Sequence, residues 1–341
     1  ENYTTPYPYG YYGGGNNYNT RVERIDYSND SSSPTLRGYL SAGNGVYYGG
    51  VASLNHGYFT GGDVHPNTLI SRVERVDFSN DTILSSIRGP LTLPLIGLAG
   101  VGTKDYGYFG MGEGGSPSQT ETTIVNRIDY SNDTATASPR GYLTEARHSG
   151  GATGYPSYGY WGGGSNHSTV DRLDFSSDTT TAVAKGPLIA DGREQKATGN
   201  GDFGYWAGGY WGPGDGRTNV QRVSYASDTA TAVEKGGLNT GRYRHGATGN
   251  TNNGYIIGGQ PGTITTIERI DYSNDTATAT LVAPILGGSN SLTGTFSSQA
   301  HALPQAFSQG YVGSYGAGYF GGGGPSPYKS SVERIDYSND T

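Results

Sequence analysis

Apolar side chains recur on both sides of one arginine in seven segments of the chain. Val or Ile stands two residues before this arginine, Val, Ile or Leu one residue after it, and Tyr or Phe three residues after it. Because successive side chains in a strand point to opposite faces, this pattern places apolar residues on both faces of one strand. Such strands are typical of a sheet that is covered on both sides. The arginines are Arg24, Arg75, Arg127, Arg172, Arg222, Arg269 and Arg334.

Three further segments accompany most of these arginines and predict three more strands in each repeat. A strand of glycine and aromatic or aliphatic residues precedes the arginine, as at residues 159–164. Before several of these lies a segment that ends in Ala-Thr-Gly, as at residues 147–154, and a Thr/Ala-rich segment follows the arginine strand. A repeat of about fifty residues with four short strands is typical of a propeller blade. The sequence therefore predicts an all-β fold, one seven-bladed β-propeller domain over residues 1–341, with an inserted loop at about residues 289–309.

The repeat resembles the kelch motif in its Arg-His opening, its Tyr-aromatic-Gly-Gly strand and its later tyrosine–aspartate turn. It departs from that family in the last strand, where residues 134–137 read Thr-Ala-Thr-Ala in place of a tryptophan. The resemblance implies kelch-like four-stranded blades. The lysine-poor, Gly/Tyr/Asn/Thr-rich repeats are also similar to kelch-like virion and tail proteins of bacteriophages, cyanophages included. That likeness implies a structural or adhesion protein, with other virion or cell-surface proteins, and glycans, as partners.

The repeated arginine and the aspartate two residues after it share one face of the strand, because their spacing is even. A buried charge without a partner is very unfavourable, so we expect each arginine to pair between blades with an aspartate or a backbone carbonyl. A ring of ligand-binding arginines is the alternative. The predicted structural residues are Arg24 with Asp26, Arg75 with Asp77, Arg127 with Asp129, Arg172 with Asp174, Arg269 with Asp271, Arg334 with Asp336, and Arg222, which has Ser224 at the aspartate position.

Side-chain oxygens alternate in the turn that follows, as at Asp26, Ser28 and Asp30. Oxygens with this spacing can ligate calcium, and they can also close tight turns by hydrogen bonding to their own backbone. We favour the turn, because no glycine stands where a calcium-binding loop requires one. The chain also contains glycosylation sequons, most of which the repetition of the turn accounts for. Their asparagines are Asn29, Asn80, Asn132, Asn166, Asn274 and Asn339.

Composition and charge narrow the possible functions. The chain has no cysteine, which excludes disulfides, thiolate metal sites and cysteine nucleophiles. Its net charge of −7 and the lack of a Lys/Arg run argue against nucleic-acid binding. The longest apolar stretch, residues 91–101, is too short for membrane insertion. Catalytic motifs, metal-ligand spacings and phosphate loops are not evident, so we expect no enzyme activity, no cofactor and no metal, and an extracellular or virion-surface location.

The candidate ligand-binding residues lie where the first strands of three neighbouring blades begin and in one aromatic loop. Arginines at a channel mouth could bind an acidic sugar, and loop aromatics could stack on sugar rings. We align Arg147-His148 with Arg244-His245 in the repeat, and we expect Trp161 and Trp206 to fill the core. A non-catalytic binding module is the favoured function, and a secreted mutarotase- or lyase-like carbohydrate-active enzyme is the alternative. The candidates are Arg147, His148, Arg193, Arg242, Arg244, His245, Tyr210 and Trp211.

Overall fold

The computed structural model describes residues 8–15, 20–41, 49–64, 68–114, 120–210, 212, 215–286, 294–297, 317–321 and 332–336. Within these ranges the secondary structure is almost entirely β. The helical residues described form four short 3-10 turns. Each turn directly follows a strand that carries one of the repeated arginines. The prediction of an all-β protein is therefore confirmed.

The described strands are numbered along the chain. They are β1 (Tyr9–Gly13), β2 (Arg21–Asp26), β3 (Thr35–Tyr39), β4 (Gly49–Ala52), β5 (His56–Thr60), β6 (Asp63–Val64), β7 (Thr68–Leu69), β8 (Val73–Asp77), β9 (Ser86–Arg88), β10 (Ala99–Gly102), β11 (Tyr106–Gly110), β12 (Ile124–Asp129), β13 (Ser138–Tyr142), β14 (Gly151–Tyr155), β15 (Tyr158–Gly162), β16 (Val170–Asp174), β17 (Val183–Ala184), β18 (Lys196–Gly199), β19 (Phe203–Ala207), β20 (Val220–Ser224), β21 (Val233–Lys235), β22 (Gly246–Gly249), β23 (Asn253–Ile257), β24 (Thr266–Asp271), β25 (Thr280–Pro284), β26 (Gly294–Ser297), β27 (Ala317–Gly321) and β28 (Val332–Asp336). The 3-10 turns are Tyr130–Asn132, Phe175–Ser177, Tyr225–Ser227 and Tyr272–Asn274.

These strands form six four-stranded antiparallel sheets, which are the blades of a propeller. Blades 3 to 6 are built from consecutive strands, from innermost to outermost: β10–β13, β14–β17, β18–β21 and β22–β25. Blade 2 is β4-β5-β8-β9, and the small hairpin β6–β7 lies between its second and third strands. The innermost strands of adjacent blades contact one another around a closed ring, which defines the central axis.

Blade 1 takes its innermost strand from a distant part of the chain. Strand β26 pairs with β1, and the order of the sheet is β26-β1-β2-β3. This strand closes the ring at six blades, so the prediction of seven is wrong. The strands of the seventh arginine unit, β27 and β28, form a separate two-stranded sheet. A loop was also predicted at residues 289–309. Residues 294–297, the part of this segment that the structure describes, are instead the closing strand.

The second strand of each blade carries a glycine, and in blades 1, 3, 5 and 6 a side chain of the neighbouring blade approaches it closely. A Cβ built on Gly107 would lie 2.7 Å from the side chain of Val51 and 2.8 Å from the hydroxyl oxygen of Tyr130. Gly254 is confined in the same way, with the hydroxyl oxygen of Tyr272 2.7 Å from the position of a Cβ. A larger side chain would collide there, so the periodic glycine is a packing requirement.

Aromatic rings join every blade to the next. A tyrosine of the second strand of one blade stacks on the aromatic residue three places after the repeated arginine in the next blade. Ring centroids are 4.6–5.2 Å apart and the rings are within 14–22° of parallel. Ile128 is buried, and Trp161 and Trp206 are fully buried, as predicted. The pairs are Tyr11–Phe78, Tyr58–Tyr130, Tyr108–Phe175, Tyr160–Tyr225, Tyr205–Tyr272 and Tyr255–Tyr27.

The repeated arginines form ion pairs between blades, but with an aspartate other than the predicted one. Arg127 donates to Asp178 of the next blade at 2.6 Å, and the Tyr108 hydroxyl donates to the same carboxylate oxygen at 2.9 Å. Asp178 stands six residues after the repeated arginine of its own blade, not two. These donors satisfy a carboxylate that is removed from water. The pairs are Arg24–Asp81, Arg75–Asp133, Arg127–Asp178, Arg172–Asp228, Arg222–Asp275 and Arg269–Asp30.

The aspartate two residues after the arginine closes the turn instead. Asp129 Oδ1 accepts hydrogen bonds from the backbone N–H and the hydroxyl of Ser131, at 2.9 and 2.7 Å. These hydrogen bonds from Ser131 lower the pKa of Asp129, because they stabilise its charged form. The same turn hydrogen bonds are made by Asp26, Asp77, Asp174 and Asp271.

The predicted pairing of these turn aspartates with arginine is therefore wrong. An Asx side chain reaches its own backbone two residues on more readily than it reaches a neighbouring blade. The two aspartates of one turn also have different partners, since Asp26 bonds Ser28 whereas Asp30 bonds Arg269 and Tyr255. They do not converge as calcium ligands would. Arg334 and Asp336 lie in β28, whose side chains are outside the described part of the chain.

Candidate functional site

Most of the predicted ligand-binding arginines, histidines and tyrosines lie at one end of the propeller. Segments that lead into the innermost strands form single backbone bridges to loops between the second and third strands, such as Arg193 with Tyr210 and Tyr243 with Gln260. We name this end, where the innermost strands begin, the entrance face. Loops at one end of a rigid scaffold are where binding residues concentrate. The leading segments described there are residues 95–98, 147–150, 192–195 and 242–245.

Four residues of the entrance face adopt left-handed backbone conformations at equivalent positions. Their φ values are +69° at Gly97, +58° at Ser149, +61° at Glu194 and +53° at Arg244. The N–H of Ser149 donates to the carbonyl of Gly97, that of Glu194 to Ser149, and that of Arg244 to Glu194. Left-handed residues other than glycine store strain on the order of 1–3 kcal/mol, and such strain clusters at functional sites. We name these four residues the left-handed arc.

Two of the predicted ligand-binding arginines are buried inside their own blades. Neither Arg147 nor Arg242 has exposed side-chain surface. Arg147 pairs with Asp171 at 2.8 Å, and Arg242 pairs with Glu268. Burial lowers the pKa of Arg242, and the charge of Glu268 opposes this effect. The prediction that both arginines face a channel mouth is wrong, because each is buried and forms an ion pair within its own blade.

The alignment of the two Arg-His pairs is wrong by two residues. The register of the sheets makes Ala152 and Ala247 equivalent, because each stands opposite the fourth residue of its second strand. His148, four residues before Ala152, is therefore the counterpart of Tyr243, four residues before Ala247. His245 stands two positions further along. These leading segments lack regular structure, so a repeated letter pair alone could not fix their register.

The two histidines consequently have different surroundings. His245 is fully buried, and burial together with the charge of Arg242 lowers its pKa, so the ring is neutral. His148 is 21% exposed and lies between two acids. Its Nε2 is 3.3 Å from Glu113 and its Nδ1 is 2.8 Å from Glu121. His148 is accessible to a ligand at the surface, whereas His245 is not.

Arg193 and Arg244 do lie on the entrance face, with two tyrosines between them. The guanidinium carbon of Arg193 is 4.8 Å from the ring centroid of Tyr210. The ring centroids of Tyr210 and Tyr243 are 5.0 Å apart, and the guanidinium carbon of Arg244 is 5.9 Å from the Tyr243 ring. Arg244 also pairs with Glu194 at 2.9 Å. We name Arg193, Tyr210, Tyr243 and Arg244 the cation–aromatic ladder, which crosses from blade 5 to blade 6.

Arg193 has unused hydrogen-bonding capacity within this ladder. In the described part of the chain no carboxylate pairs with it, and its buried Nε has no hydrogen-bond partner. A guanidinium carries five N–H donors in a fixed plane, so a ligand oxygen above Tyr210 would find donors already in position. Trp211, the other predicted loop aromatic, lies outside the described residues.

Sequence reasoning missed Tyr243 and Glu194 as neighbours of these candidates. Tyr243 is one of 29 tyrosines in the chain, and most of those described pack between blades, so its residue type gave no signal. The positions equivalent to Glu194 are Gly97, Ser149 and Arg244, so no residue type recurs there. Both were recognisable only once the register of the inner strands was known.

A second repeated position was also missed, although its signal is present in the sequence. The residue before each of the first six repeated arginines is polar and buried. Asp171 accepts hydrogen bonds from the backbone N–H and the hydroxyl of Thr144, at 3.3 and 2.6 Å, and so fixes the loop that leads to the next strand. A polar residue held constant between apolar positions predicts such an internal acceptor. The position is occupied by Glu23, Glu74, Asn126, Asp171, Gln221 and Glu268.

A narrow channel follows the propeller axis between the innermost strands. Its wider end, away from the entrance face, encloses about 150 Å³. None of the described residues that line this end is charged. Its threonine hydroxyls are already used, since Thr198 shares a hydrogen bond with the Tyr272 hydroxyl at 2.8 Å. The wider end therefore offers little that could orient a ligand.

Two further findings concern the described residues as a set. No three His, Asp or Glu side chains among them are grouped in a way that could hold a metal ion. No helix in this part of the chain combines the length and the apolar character that crossing a bilayer requires.

The closed ring of four-stranded blades defines a β-propeller protein. A solved structure described as "Structure of YjhT", also a propeller, superposes with a TM-score of 0.66 over 81% of this chain and 94% of that chain. The two sequences are 13% identical, so this likeness shows the fold alone. No protein-family model matches the chain, and no curated protein sequence is significantly similar to it. Function must therefore be argued from the site.

Proposed function

We propose that this protein is a non-catalytic module with kelch-like blades on a virion or cell surface, and that it binds glycans through the cation–aromatic ladder. The observation that carries the proposal is the guanidinium of Arg193, which lies over Tyr210 and has no acidic partner among the described residues. An aromatic ring can stack on the apolar face of a sugar, while a guanidinium donates to its hydroxyl oxygens.

The left-handed arc supports this site by fixing its geometry. Arg244 belongs both to the arc and to the ladder, and its N–H donates to the carbonyl of Glu194 while its side chain pairs with the Glu194 carboxylate. Arg193 precedes Glu194 directly, and its backbone bridges to Tyr210. Residues held in this way lose little conformational freedom when a ligand binds, which favours affinity.

An exposed apolar patch on the outer rim supports the structural part of the proposal. Ile83, Leu84 and Ile87 expose 54–59% of their surface at the edge of blade 2. Blade 5 has Ala230 and Thr231 where blade 2 has Ile83 and Leu84, so the repeat does not require large apolar residues there. Exposed apolar clusters are typical of protein–protein contacts. We assign this patch to contact with other virion or cell-surface proteins.

A secreted mutarotase- or lyase-like enzyme is the alternative function. It needs several arginines that converge on one acidic sugar, and Arg147 and Arg242 are unavailable because they are buried in ion pairs. His148 with Glu113 and Glu121 is the remaining acid–base group at the entrance face. A panel of glycans tested for both binding and turnover distinguishes the two functions, because an enzyme would convert its ligand chemically and a binding module would not.

The proposal is tested on a glycan array, with a reducing-sugar turnover assay run on every glycan that binds. We expect Arg193→Ala and Tyr210→Ala to weaken binding at least about tenfold, or about 1.4 kcal/mol, because each removes one half of the stacked pair. Tyr142→Ala is the matched control, since Tyr142 is an exposed aromatic residue on the outermost strand of blade 3. Circular dichroism confirms that each variant remains folded.

Wild-type affinity in both ladder variants would count against the proposal. Turnover by the wild type that is lost in Arg193→Ala would replace it with the enzymatic alternative.

A further inference from the structure

The narrower end of the axial channel, next to the entrance face, contains one lysine among small residues. Lys196 is the first residue of its innermost strand. In every other blade the equivalent residue is glycine or alanine, which leaves room for the side chain of Lys196 beside the axis. The void here encloses about 60 Å³. The six equivalent residues are Gly49, Ala99, Gly151, Lys196, Gly246 and Gly294.

The charge of Lys196 is not compensated by the described residues around it. No carboxylate there forms an ion pair with it, and the carboxylate of Glu194 is already 2.9 Å from Arg244. Arg242 is already paired with Glu268, and His245 is neutral. Burial lowers the pKa of Lys196 to about 8, although Glu194 opposes this effect. Lys196 is partly exposed, and a partly desolvated ammonium without an ion-pair partner is unfavourable.

The other residues that line the void are uncharged. Its walls are Gly, Ala, Leu98 and Thr295, together with Lys196. Each innermost strand is the edge of its sheet, so both N–H and C=O groups of its backbone face the axis. One water needs about 10–15 Å³ of such accessible space, so the void has room for a small ion together with a few water molecules.

We propose that the narrow end of the axial channel binds one small monovalent anion, such as a halide, on the ammonium of Lys196. A single positive charge is compensated by one monovalent anion, whereas an oxyanion of higher charge would leave negative charge unpaired. The anion supplies the missing counter-charge where the innermost strands of blades 5 and 6 meet. This site is separate from the cation–aromatic ladder and does not depend on glycan binding.

The test uses the full chain and bromide as the probe. Thermal unfolding is measured in increasing sodium bromide, with sodium gluconate keeping the ionic strength constant. We expect the midpoint to rise by roughly 2–4 °C when bromide is about tenfold above its Kd, because the anion binds only the folded ring. Lys196→Met keeps the length of the side chain and should lose this dependence. Lys185→Met is the control, since Lys185 directly follows the outermost strand β17 and is paired with Asp228.

Anomalous diffraction from a bromide-soaked wild-type crystal gives an independent reading, which holds even if Lys196→Met does not fold. A bromine peak beside Nζ of Lys196 is the expected result. A channel without such a peak, or a bromide dependence that persists unchanged in Lys196→Met, would overturn the proposal.

Discussion

Buried charged residues in this propeller differ in whether they have a partner. Arg147 and Asp171 are both fully buried and lie 2.8 Å apart, and Arg242 is paired with Glu268 in the equivalent place of another blade. Removing one member of such a pair strands a charge and costs about 3–5 kcal/mol. Lys196 already has no partner among the described residues, so its protonation should oppose folding.

This difference predicts how stability depends on pH. Burial lowers the pKa of folded Lys196 to about 8, below the value near 10.4 of an unfolded chain. Between these values the unfolded state binds more protons, so the lysine's contribution to stability rises with pH, by about 3 kcal/mol in total. Denaturant unfolding of wild type and Lys196→Met in halide-free buffer should show the two stabilities converging from pH 8 to about 10.4, with the variant more stable at neutral pH.

The difference between the two proteins is the relevant quantity in that measurement. Burial raises the pKa of interface tyrosines such as Tyr225, so the unfolded chain loses tyrosine protons first and both proteins weaken above about pH 10. Curves for wild type and Lys196→Met that stay parallel from pH 7 to 10 would show that Lys196 does not titrate as described.

At the scale of the structural element, the turn after each arginine strand is the most uniform unit. In five described blades an aspartate caps this turn, and in blade 6, for example, Asp271 accepts from the N–H of Ser273 at 2.9 Å. Blade 5 has Ser224 at this position, and its side chain makes no capping hydrogen bond. The backbone of that turn is nevertheless the same, with Ser224 at φ −87° and ψ 125°.

Ser224→Asp should therefore stabilise the protein, by about 0.5–1 kcal/mol, because it adds the cap that the neighbouring turns already have. Asp129→Ser is the matched change and should destabilise blade 3 by a similar amount. Urea unfolding at pH 7 measures both, and the gain of Ser224→Asp should disappear at low pH as its carboxylate takes up a proton. A loss of stability in Ser224→Asp at pH 7 would contradict the assigned role of the turn aspartate.

At the scale of the whole molecule, the ring is closed by contacts between residues that are far apart in sequence. Arg269 of blade 6 donates to Asp30 of blade 1 at 2.8 Å across 239 positions, and Tyr27 stacks on Tyr255. Strand β26 then completes blade 1. The last arginine unit contributes the separate pair β27–β28.

Truncation should distinguish these two C-terminal parts. A chain that ends at Gln309 retains β26 and should unfold in the same cooperative transition as the full chain. A chain that ends at Leu286 lacks β26, leaves blade 1 with three strands, and should lose that transition or unfold at least about 10 °C lower, since several kcal/mol of sheet pairing and burial are lost. Differential scanning calorimetry measures both, and a large loss on ending the chain at Gln309 would show that β27–β28 belongs to the cooperative unit.

The sequence by itself determined the features that each repeat carries within about fifty residues. Apolar residues on both faces, the glycine under Tyr130 and the aromatic residue after each arginine follow from local packing rules, so blades of four strands and buried Trp161 and Trp206 were predictable. The ladder was half predictable, because Arg193 and Tyr210 have suggestive chemistry but Tyr243 does not.

Only the tertiary structure decided the number of blades, the partner of each arginine and the roles of Arg147 and Arg242. The number of blades depends on which sheet the inner strand β26 joins. It pairs with β1, which is far from it in sequence. The arginine's partner was ambiguous because two aspartates lie four residues apart in every described turn except that of blade 5, and only the contact between blades selects one. Whether an arginine can bind a ligand or is buried in an ion pair depends on its solvent exposure. That exposure is a property of the assembled ring and not of the repeat.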